Sequence, residues 1–151
     1  MTGMILTGIL IVASIIIGLL GLSVYMLRPE TGKTRSFAAF DHTMIAHRGL
    51  FDNHSEAPEN SLAAFRKAAD QWFGMELDVQ LTKDGKLVVF HDFDMKRMCG
   101  VHKKITELTY AELEQYSLKG STEKIPLFSA VLDLIAGRTP LVVEIKVGYD
   151  Y

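Results

Sequence analysis

Met75-Glu76-Leu77-Asp78-Val79-Gln80-Leu81-Thr82-Lys83-Asp84-Gly85-Lys86-Leu87-Val88-Val89-Phe90-His91-Asp92 contains the reading on which the fold turns. Two apolar runs of strand length, residues 75–79 and 86–90, flank Lys83-Asp84-Gly85-Lys86. An Asp-Gly turn between two such runs predicts a hairpin or a tight connection. Because side chains alternate on a strand, Glu76 and Asp78 point to the same face. The second run closes on His91-Asp92, so apolar strand and polar chemistry meet at its end.

Outward from this stretch the same grammar repeats. Residues 43–46 and 141–145 are further strand-length runs, the first ending on His47-Arg48-Gly49 and the second carrying Glu144-Ile145-Lys146. Helical spacing of Leu62, Phe65, Ala69 and Trp72 behind Asn60, read as the N-cap, predicts an amphipathic helix over 61–72. Thr109 followed by Glu112 makes a capping box for a second short helix, and a third is expected from Pro126 to Gly137. Strands alternating with helices imply an α/β fold with a largely parallel sheet, since parallel strands need a helix-length crossover. In an α/β barrel the chemistry gathers at the carboxyl-terminal ends of the strands, where this chain places its charged and imidazole groups.

Those groups are His47, Arg48, Glu76, Asp78, His91, Glu144 and Lys146. Three carboxylates on one interior face repel one another unless a cation joins them, and hard Mg²⁺ or Ca²⁺ takes oxygen ligands. Imidazoles titrate close to neutral pH and suit proton transfer, Arg grips a phosphate through paired hydrogen bonds, and Lys offers a point charge. Together they describe a site for hydrolysing an anionic phosphoester: one His activates the nucleophile and the other protonates the leaving oxygen. A lone His is more often solvated or structural than catalytic, and His42, His54 and His102 are read that way; the seven residues count because they converge at the ends of four apolar runs.

Of 151 residues, those after the amino-terminal stretch leave roughly 110 to fold in water, enough for a modest core. Sixteen basic and 18 acidic residues give a net charge of -2, without the basic field that nucleic acid requires. Cys99, the single cysteine, excludes an intrachain disulfide and a cysteine-based zinc site. Residues 4–27 lack charge and, at about 1.5 Å per residue, make roughly 36 Å of helix, so they are expected to be a transmembrane helix. A cleavable signal peptide would show a basic start and a shorter apolar run, and a buried soluble helix would not be apolar on every side. Residues 28–42 read as a linker and 43–151 as the folded domain. Arg28, Lys33 and Arg35 after the span place that domain in the cytoplasm, as a single-pass membrane protein. Ser14, Gly18 and Gly21 share a helix face that would let two such helices approach.

The ordered motifs Ile45-Ala46-His47-Arg48-Gly49, Ala57-Pro58-Glu59-Asn60-Ser61, Glu76-Leu77-Asp78-Val79 with Thr82 and Asp84-Gly85, Val88-Val89-Phe90-His91-Asp92, Ile125-Pro126 and Val143-Glu144-Ile145-Lys146 resemble the glycerophosphodiester phosphodiesterase family. The resemblance runs from about Met44 to Lys146 and implies an incomplete TIM-like (β/α) barrel, about its first half, with a small helical insertion. It implies His47 and His91 as the acid and base pair, Glu76, Asp78 and Glu144 as ligands of Ca²⁺ or Mg²⁺, and Arg48 and Lys146 on the phosphate. Glu59 is expected near the metal as a support. Arg97, Gly100 and the helix after Thr109 resemble the family's insertion, expected to shape a glycerol pocket. The implied reaction yields glycerol 3-phosphate and an alcohol from glycerophosphodiesters, with lysophospholipids as the alternative substrate. A complete barrel needs roughly 250 residues, so the expected half-barrel is read as truncated, with self-association, pairing with a missing barrel half, or an inactive remnant as the alternatives. The competing class is a membrane-tethered phosphodiester-binding or interaction module without turnover; a phospholipase D-like barrel enzyme is the third reading.

Overall fold

A computed structural model of the chain describes residues 2–28 and 38–147. Most of the expected linker, with Lys33 and Arg35, lies outside the described residues, as does Tyr151. Two units result, one up to Phe37 and one from Ala38 onward. In the first, α1 (Thr2–Leu27) is continuous and starts two residues earlier than predicted. Ile5–Leu27 is long and apolar enough, by length and composition, to cross a membrane. Thr7, Ser14 and Ser23 each donate a hydroxyl to the carbonyl four residues back at 2.9 Å, so their polar atoms are satisfied within the helix.

The second unit begins with a 3-10 turn at Ala38–Phe40, inside the stretch read as linker. It leads into a four-stranded sheet of β1 (Ile45–His47), β2 (Gly74–Leu81), β3 (Leu87–Val89) and β4 (Leu141–Ile145). Strand β2 is the spine. It pairs in parallel with β1 from Ile45↔Gly74 to His47↔Glu76, and in parallel with β4 from Met75↔Leu141 to Val79↔Ile145. Its upper part pairs antiparallel with β3 from Val79↔Val89 to Leu81↔Leu87. The Asp-Gly turn closes that hairpin: Gly85 sits at φ +73°, Thr82 N donates to Lys86 O, and Lys86 N donates to the Thr82 hydroxyl. The sheet is thus parallel except for this arm.

Alternation on β2 separates core from chemistry. Met75, Leu77 and Val79 turn to one side and are buried against Phe65, Ala68 and Ala69 of α2 (Leu62–Asp70). A fully buried side chain of this size contributes about 1.5–3 kcal/mol. Glu76, Asp78 and Gln80 therefore occupy the other face. Beyond β3 the insertion comprises α3 (Lys96–Cys99), a 3-10 turn at Ile105–Glu107 and α4 (Tyr110–Leu113), the last closed by the expected Thr109–Glu112 capping box. It has its own core of Phe90, Met95, Met98, Ile105, Leu113 and Leu118. Helix α5 (Phe128–Ile135) returns the chain to the first core through Val131 and Ile135, then stops as Ala136 and Gly137 turn left-handed.

Three boundaries differ from expectation for identifiable reasons. The first strand starts at Ile45, because Thr43 is used to close the preceding turn through Thr43 N to Phe40 O and its hydroxyl to Ala39 O. Helix α2 is capped by Ser61, whose side chain accepts from Ala64 N, and it ends before Trp72, which lies at φ +61°. Asn60 is not the cap; it lies at φ +58° with its side chain engaged elsewhere. Helix α5 starts beyond Pro126 because Val89 N donates to Pro126 O and Leu127 bridges Val88.

Candidate active site

At the end of β1 the backbone reverses sharply. Arg48 and Gly49 both lie in the left-handed region, at φ +59° and +85°. A Cβ on Gly49 would sit 3.0 Å from the Ala64 backbone of α2, so glycine is required by both conformation and space. This turn sets His47 and Arg48 beside β2: Arg48 N donates to Glu76 O at 2.9 Å, and His47 Nε2 stands 3.7 Å from Glu76 Oε2.

The pairing of β2 with β4 places Asp78 directly across from Glu144, and alternation adds Glu76 on the same face. Glu76, Asp78 and Glu144 each offer a carboxylate oxygen, and these atoms lie within 4.8 Å of one another. Two oxygens each about 2.4 Å from one calcium-sized ion can be that far apart, so the trio fits a hard divalent cation. Asp78 is 1% exposed, and its Oδ1 accepts no well-aligned hydrogen bond even though Lys146 Nζ stands 3.1 Å away. A buried carboxylate oxygen with spare capacity is what a metal ligand supplies. The other Asp78 oxygen accepts from Asn60 Nδ2 at 3.1 Å and stands 3.6 Å from Arg48 Nε.

Lys146 donates to Glu144 Oε1 at 2.6 Å, and its pKa is raised: partial burial opposes this, but the Glu144 carboxylate that accepts from Nζ and the nearby Asp78 carboxylate outweigh it. It stays a cation. His47 has 66% of its side chain exposed, so the rim is open to solvent on that side. Six of the seven residues singled out in the sequence therefore form one cluster: His47, Arg48, Glu76, Asp78, Glu144 and Lys146.

His91 is tied to this cluster by a different route. Strand β3 runs back down along β2, Phe90 N donates to Asp78 O at 2.9 Å, and His91 follows. Its carboxylate partner is Asp92, with Nδ1 2.6 Å from Oδ1. Buried Gln80, which the sequence reading passed over, donates Nε2 to both Phe90 O and Asp92 O at 2.9 and 2.8 Å, holding the backbone on either side of His91. Position on the Glu76-Asp78 face, two residues further along β2, was the signal that could have found it.

Glu59 lies beside this cluster and is 4% exposed at its side chain. Its oxygens accept from Arg48 Nη1, Asn53 Nδ2, Arg97 Nη1 and Arg97 Nη2 at 2.7–2.9 Å. A carboxylate has about four acceptor positions, so Glu59 is saturated by protein donors and stands as a support. Burial alone would raise its pKa, but Arg97, Asn53 and Arg48 hold it down at about 2. Asn53 is a further contributor absent from the sequence reading. His42 and His54 are exposed, and His102 pairs with Asp94 at 3.3 Å on the surface.

Residues 47–149 match the model of the glycerophosphoryl diester phosphodiesterase family. The chain is similar to a glycerophosphodiester phosphodiesterase of Bacillus altitudinis, 37% identical over 111 residues, covering 68% of this chain and 44% of the relative. It is also similar to a lysophospholipase D of Rattus norvegicus, 36% identical over 117 residues, covering 69% and 36%. Among solved structures, an Oleispira antarctica phosphodiesterase in complex with sn-glycerol-3-phosphate superimposes with a TM-score of 0.62 at 33% identity, over 72% of this chain and 47% of that one. The chain spans less than half the length of these relatives. Its sheet and helices are a partial TIM-like barrel of the kind those structures share. The chain belongs to the glycerophosphoryl diester phosphodiesterase family, a family of hydrolases.

Proposed function

We propose that this chain carries the metal-dependent hydrolytic chemistry of glycerophosphodiesters, with glycerol 3-phosphate and an alcohol as products. The observation that carries the reading is the meeting of three carboxylate oxygens within 4.8 Å, beside His47, Arg48 and Lys146. Similarity to a phosphodiesterase complexed with sn-glycerol-3-phosphate supports the choice of substrate.

Glu76, Asp78 and Glu144 would hold Ca²⁺ or Mg²⁺, which supplies Lewis-acid stabilisation of the charge that develops on the phosphoryl oxygens. Arg48 keeps Nη2 free of any hydrogen bond among the described residues, and Lys146 stays protonated, so both offer positive charge to the phosphate. One imidazole of the His47 and His91 pair takes a proton from water as its oxygen bonds to phosphorus. The bond from phosphorus to the alcohol oxygen breaks, and the other imidazole returns a proton to that oxygen. Glu59 holds Arg48 in place for this task.

The domain reading is 4–27 as membrane span, 28–42 as linker and 43–151 as barrel domain, with the domain on the cytoplasmic side. Apolar α1 supports the span. A lysophospholipid substrate is the second reading, favoured by similarity to a lysophospholipase D and by that helix. Release of glycerol 3-phosphate from glycerophosphocholine, with and without EDTA and with His47→Ala, tests the main reading. Metal-dependent release lost in the variant supports it; substrate binding without turnover sinks it in favour of a binding module. Lysophosphatidylcholine turned over in preference to glycerophosphocholine would select the second reading.

A further inference from the structure

We propose that Arg97, carried on the insertion helix α3, is a positioning residue for His91: its guanidinium locks Asp92 against buried Glu59, and Asp92 so held fixes the His91 proton on Nδ1. The inference rests on the reading of His91 as an acid or base and assigns to the insertion a task distinct from shaping a substrate pocket.

The geometry is a doubly forked guanidinium. Arg97 Nε and Nη2 reach Asp92 Oδ2 and Oδ1 at 2.7 and 2.9 Å. Its Nη1 and Nη2 reach Glu59 Oε2 and Oε1 at 2.8 and 2.7 Å. Four N–H groups of one planar side chain thus serve two carboxylates, which a lysine ammonium, a point charge on a flexible stem, does not reproduce. Asp92, kept ionised beside Arg97 against the effect of its own burial, can only accept. The 2.6 Å contact from Oδ1 to His91 Nδ1 therefore requires the proton on Nδ1, leaving Nε2 as the nitrogen that exchanges a proton.

The chain Arg48–Glu59–Arg97–Asp92–His91 is continuous at 2.6–2.9 Å. It ties the phosphate-binding arginine after β1 to the histidine after β3. Its anchor is rigid: Met95 and Met98 on either side of Arg97 are buried in the insertion core. The backbone around His91 is held separately by Gln80. Removing Arg97 thus frees the Asp92 side chain without releasing the peptide it belongs to. If Arg97 served only to neutralise Glu59, its loss would weaken folding and leave the His91 proton where it is.

The test is the imidazole tautomer, read from ¹⁵N–¹H ring correlations of the full chain in detergent micelles at mildly alkaline pH. Histidine is ¹⁵N-labelled and His91 is assigned by His91→Gln. The wild-type chain is expected to show His91 protonated on Nδ1. Arg97→Gln is expected to lose that preference with the amide fingerprint of the rest of the domain retained, and Arg97→Lys to lose it as well. Asn53→Ala removes a different Glu59 bond and is expected to leave the tautomer unchanged. Retention of the Nδ1–H form in Arg97→Gln or Arg97→Lys overturns the proposal, as does its loss in Asn53→Ala. Should Arg97→Gln not fold, Arg97→Lys decides. Turnover is not needed for the measurement: an inactive chain with the tautomer shift loses the hydrolase reading and keeps this one, and an active chain without the shift does the reverse.

Discussion

Strands β2 and β4 spell nearly the same pattern, aliphatic residues interrupted by carboxylates, and they lie side by side in register, yet they live in different surroundings. Met75, Leu77, Asp78 and Val79 on β2 are buried, with β1 on one edge and β4 on the other. On β4, Val142 and Ile145 are 42% and 72% exposed, and among the described residues the strand is paired only to β2. The carboxylates inherit the difference. Asp78 is enclosed by Asn60, Arg48 and Lys146, whereas Glu144 has Lys146 and 54% of its side chain in solvent. One cluster therefore joins a residue that the fold depends on to one that it barely notices, and metal affinity and stability should separate between them.

The strongest way to break this contrast is to remove each carboxylate in turn. Asp78→Ala takes from Arg48 and Lys146 the more deeply buried Asp78 carboxylate, leaves the Asn60 amide without its acceptor, and should cost about 3–5 kcal/mol in urea unfolding. Glu144→Ala should stay within about 0.5 kcal/mol while still weakening Ca²⁺ binding in calorimetry. Equal costs would show that the two strands are supported alike. The aliphatic version is Leu77→Ala, expected to lose about 2–5 kcal/mol because it leaves a cavity under α2, against less than about 1 kcal/mol for Val143→Ala.

Cation addition sharpens the same point. At one hundred times its Kd a bound divalent ion should stabilise the chain by about 2.7 kcal/mol, seen as a rise in Tm that EDTA reverses. Glu144→Ala should fold normally and lose that rise. The smallest effect concerns acid. Glu59 is held at about 2 against an ordinary 4.5, so its contribution is fully present above 4.5 and is lost as pH falls toward 2. On the order of 2 kcal/mol should disappear across that window, and a Glu59→Gln chain should show a flatter acid limb in thermal unfolding.

Much of this architecture was written in local patterns. The bounds of β4 agree with the sequence reading at both ends, and the Asp84-Gly85 turn and the Thr109–Glu112 box are where they were expected. Each depends on a few neighbouring residues, so tertiary context had little to override. Asn60 shows the opposite case: its composition suits an N-cap, but Asp78, eighteen residues on, recruits its amide, and Ser61 takes the cap. Asn53 was missed because an amide in a loop carries no signal until its partner is known, and Gln80 had only its place on the Glu76-Asp78 face to mark it.

Local pattern was enough for the alternation of strands and helices, the apolar amino-terminal helix, and the carboxylate, imidazole and cationic residue types of the candidate site, because periodicity and chemistry are local properties of the chain. It took the packed fold to set Glu144 across from Asp78, to run β3 back along β2 until Phe90 meets Asp78, and to join Glu59 to Asp92 through one guanidinium. Those facts depend on strand register and on the docking of an insertion, which are set by packing between segments far apart in sequence.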